Sequence, residues 1–332
     1  MRNWKKMTAG LSACVMLGLA GTAAAQVKWD LPTPYLPTDH HVKNLELFAK
    51  DVAQASNGQF TIAVHNSGSL FKQAEIKRAI QSGQAPIGEF VLSQYQNEWP
   101  IFGADNVPFL ATNEEDARRL YEVQKPLLEK YLAKQGLMIL YTVPWPAQGI
   151  YTKRDLNSGA DFKGLKWRAY SPGTYRVGQL LEAQAVNISA AELAQAMATG
   201  VVDSYMSSAT TGRATKTYEH LTHFYDVKAW LPKNAVVVNK KAFDALAPEL
   251  RKALLDSAAT AETRGWDMAR VTSEEDKKSL SDNGMKVLEP SEQLSKDLDK
   301  VGDVILEEWI KQAGDDGKQL VDAYRKAQAE GR

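Results

Sequence analysis

The chain has 332 residues, of which 44% are hydrophobic, and this is enough apolar material for two lobes with separate cores. Lysine plus arginine and aspartate plus glutamate both total 40, so charge gives no reason to expect binding to nucleic acid or to an anionic membrane. The only cysteine is Cys14. A chain without its N-terminal segment therefore has no thiol for disulfides, thiolate catalysis or cysteine metal sites.

Residues 1–25 have the pattern of a secretory signal. Three basic residues precede an apolar segment at 7–20, and an Ala-Ala-Ala tripeptide offers a cleavage site before Gln26. The apolar segment is too short for a comfortable transmembrane span, so we expect a soluble protein exported to the periplasm. Lipidation at Cys14 is the less favoured alternative, because a better cleavage site follows it.

Strand and helix patterns alternate from residue 27 onward. Apolar alternation or continuous apolar runs predict strands at 27–31, 60–64, 87–92 and 138–143. Helices are predicted around 45–52, ended by Asn57-Gly58, at 75–81, and from the cap Asn113 to Gln135. Pro126 is expected to divide or kink the last of these helices. This strand–helix–strand order is typical of an α/β lobe.

Shorter elements follow in the second half of the chain. Leu165, Trp167 and Ala169 alternate with Lys166 and Arg168, and this alternation predicts a strand. Further predictions are a helix from the capping box Ser189–Glu192 to Gly200, a strand that begins at Val201-Val202, and a strand at 235–238.

A long uninterrupted helix is predicted from Pro248 to Asp282, with Gly265 as its only glycine. At a rise of about 1.5 Å per residue this helix is about 50 Å long, so we expect it to run along both lobes. The tail from Glu292 is helical and polar, and we expect it to pack on the outside. The absence of a low-complexity linker favours lobes joined by several chain crossings, as in hinged proteins.

Several motifs that would indicate an enzyme are missing. The sequence contains no G-x-G-x-x-G, G-x-x-x-x-G-K-[ST] or G-x-S-x-G, so dinucleotide, P-loop and nucleophile-elbow chemistry lack support. His220 and His223 could share a helix face and bind a metal, although a solvated pair is the favoured interpretation. His40-His41 stands at a helix entrance, where we expect a capping or surface role. We therefore expect no catalytic residue, no cofactor and no metal.

Two segments resemble the substrate-binding proteins of TRAP transporters, solute-binding protein family 7. Residues 161–168 read D-F-K-G-L-K-W-R, similar to the family's D-x-K-G-x-K-x-R, and residues 191–203 are similar to its E-x-Y-x-A-L-x-x-G-x-V-D. Weaker similarities lie at 66–70, 106–110 and 238–243. The order and spacing of these segments carry the resemblance across nearly the whole chain after the signal.

The resemblance implies two α/β lobes with a hinge, a type II-like periplasmic-binding-protein fold with a central cleft and a long helix that spans both lobes. It implies capture of a small carboxylate for TRAP membrane subunits. We also expect a monomer, no nucleic acid partner and no enzymatic activity. The expected divisions are lobe I at 26–147 with a return segment at 235–265, lobe II at 148–234, the long helix at 248–283, and C-terminal helices at 290–332. Two alternatives stay open: a receptor of an ATP-driven transporter for a non-acid ligand, and a secreted enzyme.

Arg168 is the residue that the resemblance assigns to the ligand carboxylate. Its planar fork of donors matches a carboxylate bidentately. Because Trp167 and Ala169 point to the other face of the predicted strand, Arg168 points away from that core and toward the expected cleft. An ordinary surface arginine or a salt bridge to a neighbouring lobe is the competing interpretation.

Two departures from the sialic-acid-binding relatives bear on the ligand. Gln148 stands where they have another arginine, and Ser207 stands where they have an asparagine. A single fixed cation predicts a hydroxy or keto monocarboxylate with an apolar, possibly aromatic, body. Lys72 or Lys166 would restore a second cation if either reached the cleft. A Glu-Trp pair typical of metal-holding relatives is absent after Asp203.

Other candidates for the ligand site are aromatic or polar residues near these points. Trp145, Tyr170, Trp230 and Asn234 are expected to contact the ligand, while Tyr35, Val91 and Leu92 are expected to form the opposite wall. Glu192 is explained by its capping box, and Asp203 by a turn or hinge.

Overall fold

The computed structural model describes residues 26–331, so the predicted signal at 1–25 lies outside the described residues. The strands, in chain order, are β1 (Val27–Pro32), β2 (Phe60–His65), β3 (Ile87–Val91), β4 (Leu137–Pro144), β5 (Gly149–Thr152), β6 (Lys166–Ala169), β7 (Gln184–Asn187), β8 (Ser204–Ser207), β9 (His223–Tyr225), β10 (Lys233–Asn239) and β11 (Lys286–Leu288). The α-helices are α1 (His40–Ala55), α2 (Ile76–Ser82), α3 (Glu114–Lys134), α4 (Pro172–Leu180), α5 (Leu193–Ala198), α6 (Ala209–Ala214), α7 (Lys240–Asp244), α8 (Pro248–Asp282) and α9 (Glu292–Ala329).

The strands of the first lobe form two small sheets. β1 and β2 pair in parallel, while β10 pairs antiparallel with both β3 and β4. The run Ala235 to Val238 is apolar at every position because β10 is buried on both faces. Ala235 and Val237 pack into one apolar cluster, and Val236 and Val238 pack into the cluster on the other face. The first lobe is therefore a layered α/β unit with helices on both sides.

The second lobe contains one six-stranded sheet in the order β11-β9-β5-β8-β6-β7. Neighbouring residues again serve opposite faces: Ile150 and Met206 join one apolar cluster, and Tyr151 and Tyr205 join the other. β6 pairs in parallel with β8, and Arg168 stands opposite Tyr205 in this register. The sheet therefore fixes the face of the second lobe on which the Arg168 side chain lies.

Two long helices connect the lobes. α8 packs against α1 and β4 of the first lobe and against α6 and β11 of the second. Gly265 lies in α8 where a Cβ would come within 2.4 Å of Val143 and 2.8 Å of Asn44, so its hydrogen allows α8 to approach α1 and β4. α9 packs against both lobes and contains one break, at Gly314 with φ +59°.

Four details differ from the sequence-based expectations. α3 continues through Pro126 instead of being divided there. Val201 and Val202 lie in a turn that follows α5, and the strand begins only at Ser204. The C-terminal tail is amphipathic, because α9 buries side chains such as Trp309 in the cores of the two lobes. The second-lobe sheet also recruits β11, beyond the expected limit of that lobe. No helix within residues 26–331 is long and apolar enough to cross a membrane.

Candidate ligand-binding site

A cavity of about 40 Å³ lies between the lobes. Its walls come from the carboxyl ends of β3, β6 and β8, from the loop after β1, and from the crossing segment between β4 and β5. Ligands of open α/β sheets bind at such strand ends. The lining residues are Tyr35, Leu36, Asp39, Gln73, Val91, Trp145, Gln148, Arg168, Tyr170, Ala190, Ser207, Thr211, Ala214, Thr215 and Pro232.

Arg168 is a buried cation without a carboxylate partner. Only 3% of the residue is exposed, its Nε donates to the Ile188 carbonyl at 2.9 Å, and no partner for its Nη groups lies among residues 26–331. Burial lowers the pKa of Arg168, and the only neighbours that offset this effect are the tyrosines 205, 170 and 35. Because an arginine stays protonated in proteins, the cavity holds an uncompensated positive charge.

The other buried basic side chains of the described chain show what Arg168 lacks. Lys77 and Lys233 are 2% and 0% exposed, and each forms an ion pair with a carboxylate. The partner of Lys233 is Asp105 at 3.1 Å. Burying a charge is costly unless it is paired, so the exception at Arg168 marks a place for a ligand anion.

Tyr170 holds the wall beside Arg168. Its hydroxyl donates to Asn106 Oδ1 at 3.1 Å and accepts from Trp230 Nε1 at 3.0 Å, and its ring centroid lies 5.2 Å from the guanidinium carbon of Arg168. Gln148 Oε1 lies 3.4 Å from the same hydroxyl. Trp230 does not line the cavity. Its indole donates to the Tyr170 hydroxyl, so it supports Tyr170 from behind.

Asn234 holds the opposite, aromatic wall from behind. Its Oδ1 accepts from the Tyr35 hydroxyl at 3.1 Å and from Trp145 Nε1 at 2.9 Å, and its Nδ2 contacts His41 Nδ1 at 3.2 Å. The Trp145 ring packs at 4.9 Å from that of Tyr35 and at 4.2 Å from that of His41. Asn234 was expected to contact the ligand, but it lies outside the lining and orients two residues that form it.

The expectation of a surface or capping role for His40-His41 is wrong. Both histidines are buried, and His41 Nδ1 lies 3.2 Å from Glu89 Oε1. Thr33 donates to Glu89 Oε2 at 2.6 Å. Burial raises the pKa of Glu89 to about 7 and holds the pKa of His41 well below its usual value. Desolvation disfavours the charged form of both groups, so burial reduces the charge behind the aromatic wall.

The other five predicted ligand-binding residues line the cavity together: Trp145, Gln148, Arg168, Tyr170 and Ser207. Tyr35 and Val91 also line it, while Leu92 belongs to a core cluster. Lys72 faces an adjoining hollow, and Lys166 is exposed and donates to the Gly200 carbonyl, so neither adds a cation to the cavity.

Sequence reasoning missed Asp39 and Gln73. Gln73 is 9% exposed, and its Oε1 accepts from the Ala190 amide of the second lobe at 3.2 Å. Its Nε2 donates to Gln94 at 3.0 Å, so the side chain ties the two lobes beside the cavity. Asp39 and Gln73 are polar residues next to predicted helices, and nothing in the sequence distinguishes them from ordinary surface or capping residues.

The predicted structural role of Glu192 is confirmed. Ser189 Oγ donates to Glu192 Oε2 at 2.6 Å in the capping box. His223 Nε2 lies 3.0 Å from Asp155 Oδ1. Across 26–331 the structure contains no group of three or more histidine, cysteine, aspartate or glutamate residues placed to hold a metal ion.

Two α/β lobes around a cavity with an unpaired buried cation define a binding protein for a small anion. The model of the bacterial extracellular solute-binding proteins, family 7, matches residues 36–312, and the chain belongs to this family. It is thus an organic-acid receptor of the TRAP type, and not an enzyme. Members of the family are periplasmic receptors that work with TRAP membrane subunits.

Three solved structures show the similarity in detail. DctP6 of Bordetella pertussis, an extracytoplasmic solute receptor that binds pyroglutamic acid, is 53% identical, with a TM-score of 0.89 over 90% of this chain and 100% of that one. A marine-metagenome TRAP protein specific for pyroglutamate is 40% identical, with a TM-score of 0.89 over 91% and 99%. DctP7 of Bordetella pertussis, which also binds pyroglutamic acid, is 38% identical, with a TM-score of 0.89 over 90% and 99%.

The raised pKa of Glu89 predicts a pH-dependent effect of Glu89→Gln. Between its ordinary value near 4.5 and about 7, the folded protein holds a proton on Glu89 that the unfolded chain releases, so folding loses stability as the pH rises. The free energy of unfolding of the variant minus that of the wild type should grow by on the order of 2 kcal/mol from pH 5 to 7 and then level off. Urea unfolding at each pH measures it.

Glu46→Gln is the matched control, because Glu46 is an exposed residue of α1. Its difference from the wild type should not show this rise. A Glu89→Gln difference that stays constant from pH 5 to 8 would show that Glu89 is ionised in the folded protein throughout this range.

Proposed function

We propose that this protein is the periplasmic receptor that delivers pyroglutamate to a TRAP transporter. The observation that carries the proposal is the buried, unpaired guanidinium of Arg168 in the cavity between the lobes. Three relatives between 38% and 53% identical bind pyroglutamate, and this supports the choice among organic acids. In this proposal Arg168 binds the carboxylate through its Nη groups.

The chemistry of the cavity fits a compact cyclic monocarboxylate. Pyroglutamate has one carboxylate, one lactam N–H, one lactam carbonyl and a small apolar ring. Tyr35, Trp145 and Tyr170 offer flat surfaces for the ring, and Gln148 and Ser207 offer polar atoms. A second carboxylate would be desolvated without a second cation, which is unfavourable. The proposal keeps the expected monocarboxylate and replaces the hydroxy or keto group by a lactam.

We propose that the ligand closes the two lobes by contacting both. The proposed division assigns 26–147 and 235–265 to lobe I and 148–234 to lobe II, with β11 completing the second sheet. Arg168 belongs to lobe II, while Tyr35 belongs to lobe I. A ligand that contacts both favours the closed arrangement by its extra contacts there. The hydrogen bond from the Ala190 amide to Gln73 joins the two lobes, so it would stabilise the closed state.

The proposal predicts the order of affinities in a ligand panel. Isothermal calorimetry on dialysed protein would compare pyroglutamate with its carboxamide, succinate, an aromatic keto acid and sialic acid. Pyroglutamate should bind tightest, and the carboxamide should bind at least about tenfold more weakly because it leaves Arg168 without an anion. Tightest binding of succinate, sialic acid or the aromatic acid would refute the pyroglutamate assignment.

Arg168 should dominate the affinity. A hydrogen bond to a charged group contributes about 1.5–3 kcal/mol, so Arg168→Ala should weaken pyroglutamate binding by at least about tenfold. Arg168→Lys should restore only part of the affinity, because an ammonium lacks the bidentate fork. Calorimetry on the three proteins measures both effects.

Arg176→Ala is the control for the loss of one cation. Arg176 lies on α4 of the same lobe, pairs with Glu308 and does not line the cavity. Its removal should leave the dissociation constant within about twofold of the wild type, as expected for an exposed ion pair. If Arg168→Ala bound pyroglutamate as tightly as Arg176→Ala, the carboxylate would be held elsewhere.

We further propose export by a signal at 1–25, cleavage before Gln26, and a monomeric receptor without a nucleic acid partner. The basic start, the apolar segment and the alanines at 23–25 support cleavage at this site. The intact mass of protein isolated from the periplasm should correspond to a chain that begins at Gln26. A diacylated species at Cys14, or a species that retains Met1, would contradict this processing.

A further inference from the structure

Asp39 stands at the N-cap position of α1 but does not cap this helix. Its backbone has the extended conformation of an N-cap, with φ −71° and ψ 145°, yet its side chain forms no hydrogen bond to the first turn of the helix. Asp39 Oδ2 accepts from the Leu36 amide at 3.1 Å instead. The usual structural reason for an aspartate at this position therefore does not apply.

The second carboxyl oxygen of Asp39, a residue that lines the cavity, has no hydrogen-bond partner within residues 26–331. This oxygen is Oδ1, and Asp39 is 4% exposed. A buried acceptor without a partner costs free energy, so native proteins rarely keep one without a reason. The turn with Leu36 explains Oδ2 and leaves Oδ1 unexplained.

The cavity offers few other strong acceptors. The amide oxygens of Gln73 and Gln148 already accept hydrogen bonds from protein donors. A ligand carboxylate finds its donors in the Nη groups of Arg168. A ligand N–H finds its strongest acceptor in the unpartnered oxygen of Asp39.

We propose that Asp39 is a specificity-determining residue that accepts a hydrogen bond from a ring N–H of the ligand. This inference rests on the proposed function and assigns the lactam N–H of pyroglutamate to Asp39 Oδ1. The site then selects for a carboxylate and an N–H on the same small molecule. Asp39 lies at the N-terminus of α1, where the helix dipole favours a negative charge on the carboxyl group that accepts this bond.

Burial supports the same picture. It raises the pKa of Asp39 to about 7, although the Arg213 cation and the hydrogen bond from Leu36 lower it. The Asp39 carboxyl thus receives fewer hydrogen bonds than its charged form requires, and a ligand N–H supplies one more.

The substitution Asp39→Asn tests the assignment because its orientation is fixed by Leu36. The Leu36 amide requires the asparagine carbonyl oxygen at the place of Oδ2, so the side-chain NH₂ takes the place of Oδ1. A donor then faces the lactam N–H. The same donor suits the ring oxygen of 5-oxotetrahydrofuran-2-carboxylate, the lactone analogue of pyroglutamate, which has the same carboxylate and carbonyl.

Calorimetry with the wild type and Asp39→Asn against both compounds gives four dissociation constants. The wild type should prefer the lactam over the lactone by at least about tenfold, because a site built for a hydrogen-bonding group rejects the analogue that lacks it. In Asp39→Asn this preference should fall by at least about tenfold. Glu46→Gln removes one acidic group from the exposed side of α1 and should keep the wild-type preference. Thermal unfolding of each protein checks that the variants fold.

The outcomes separate the two proposals. If the wild type does not bind pyroglutamate, the proposed function is wrong, and the assignment of Asp39 fails with it. If the wild type binds pyroglutamate but Asp39→Asn keeps the full preference for the lactam, the function stands and the role of Asp39 is overturned. Equal affinity of the wild type for both compounds would mean that no acceptor in the site recognises the ring N–H, which also overturns the assignment.

Discussion

A guanidinium that is buried without a counter-ion is the constraint around which this binding site is organised. Arg168 is buried in the folded protein, and within residues 26–331 its side chain donates its hydrogen bond to a neutral carbonyl, that of Ile188. The folded protein tolerates this cost because strong contacts elsewhere hold the second lobe together. Binding an anion replaces the missing hydration, so the free energy that is unfavourable in the empty protein becomes part of the affinity for the ligand.

The sheet of the second lobe keeps the Arg168 side chain at the cavity. Trp167 and Ala169 on either side of it are fully buried on the opposite face of β6, so the strand cannot rotate without exposing them. Trp167 also donates to the Thr174 carbonyl at 2.9 Å, which joins β6 to α4. The position of the cation therefore depends on ordinary core packing on the other side of one short strand.

Structural features that depend only on residues close together in the sequence could be predicted from local sequence patterns. The bounds of α8 from Pro248 to Asp282 follow from helix periodicity and end signals, and the outward direction of Arg168 follows from strand alternation. His40-His41 was misread because its burial depends on Glu89, which comes from a strand distant in sequence. No local pattern reports that kind of contact.

The errors at the site have the same origin. Asn234 and Trp230 were placed in the right region, but one layer of side chains separates them from the cavity. Sequence spacing predicts which residues lie near a cleft, but it does not predict which of their side chains form its surface. The role of Asp39 is not predictable from the sequence, because only the fold shows that it lines the cavity and that its Oδ1 has no hydrogen-bond partner within residues 26–331.

The proposed anchors lie on different lobes, and this arrangement joins recognition to closure. Arg168 is carried by β6 of the second lobe, while Asp39 is carried by the entrance of α1 in the first. A ligand that carries only a carboxylate pairs with Arg168 but forms no hydrogen bond with Asp39 of the first lobe. Such a ligand therefore favours closure less. A molecule that also presents an N–H gains a second bond only when the lobes are closed, so its differential affinity for the closed state is larger. Under the proposed closure, selectivity for the N–H would therefore act on the population of closed receptor as well as on binding.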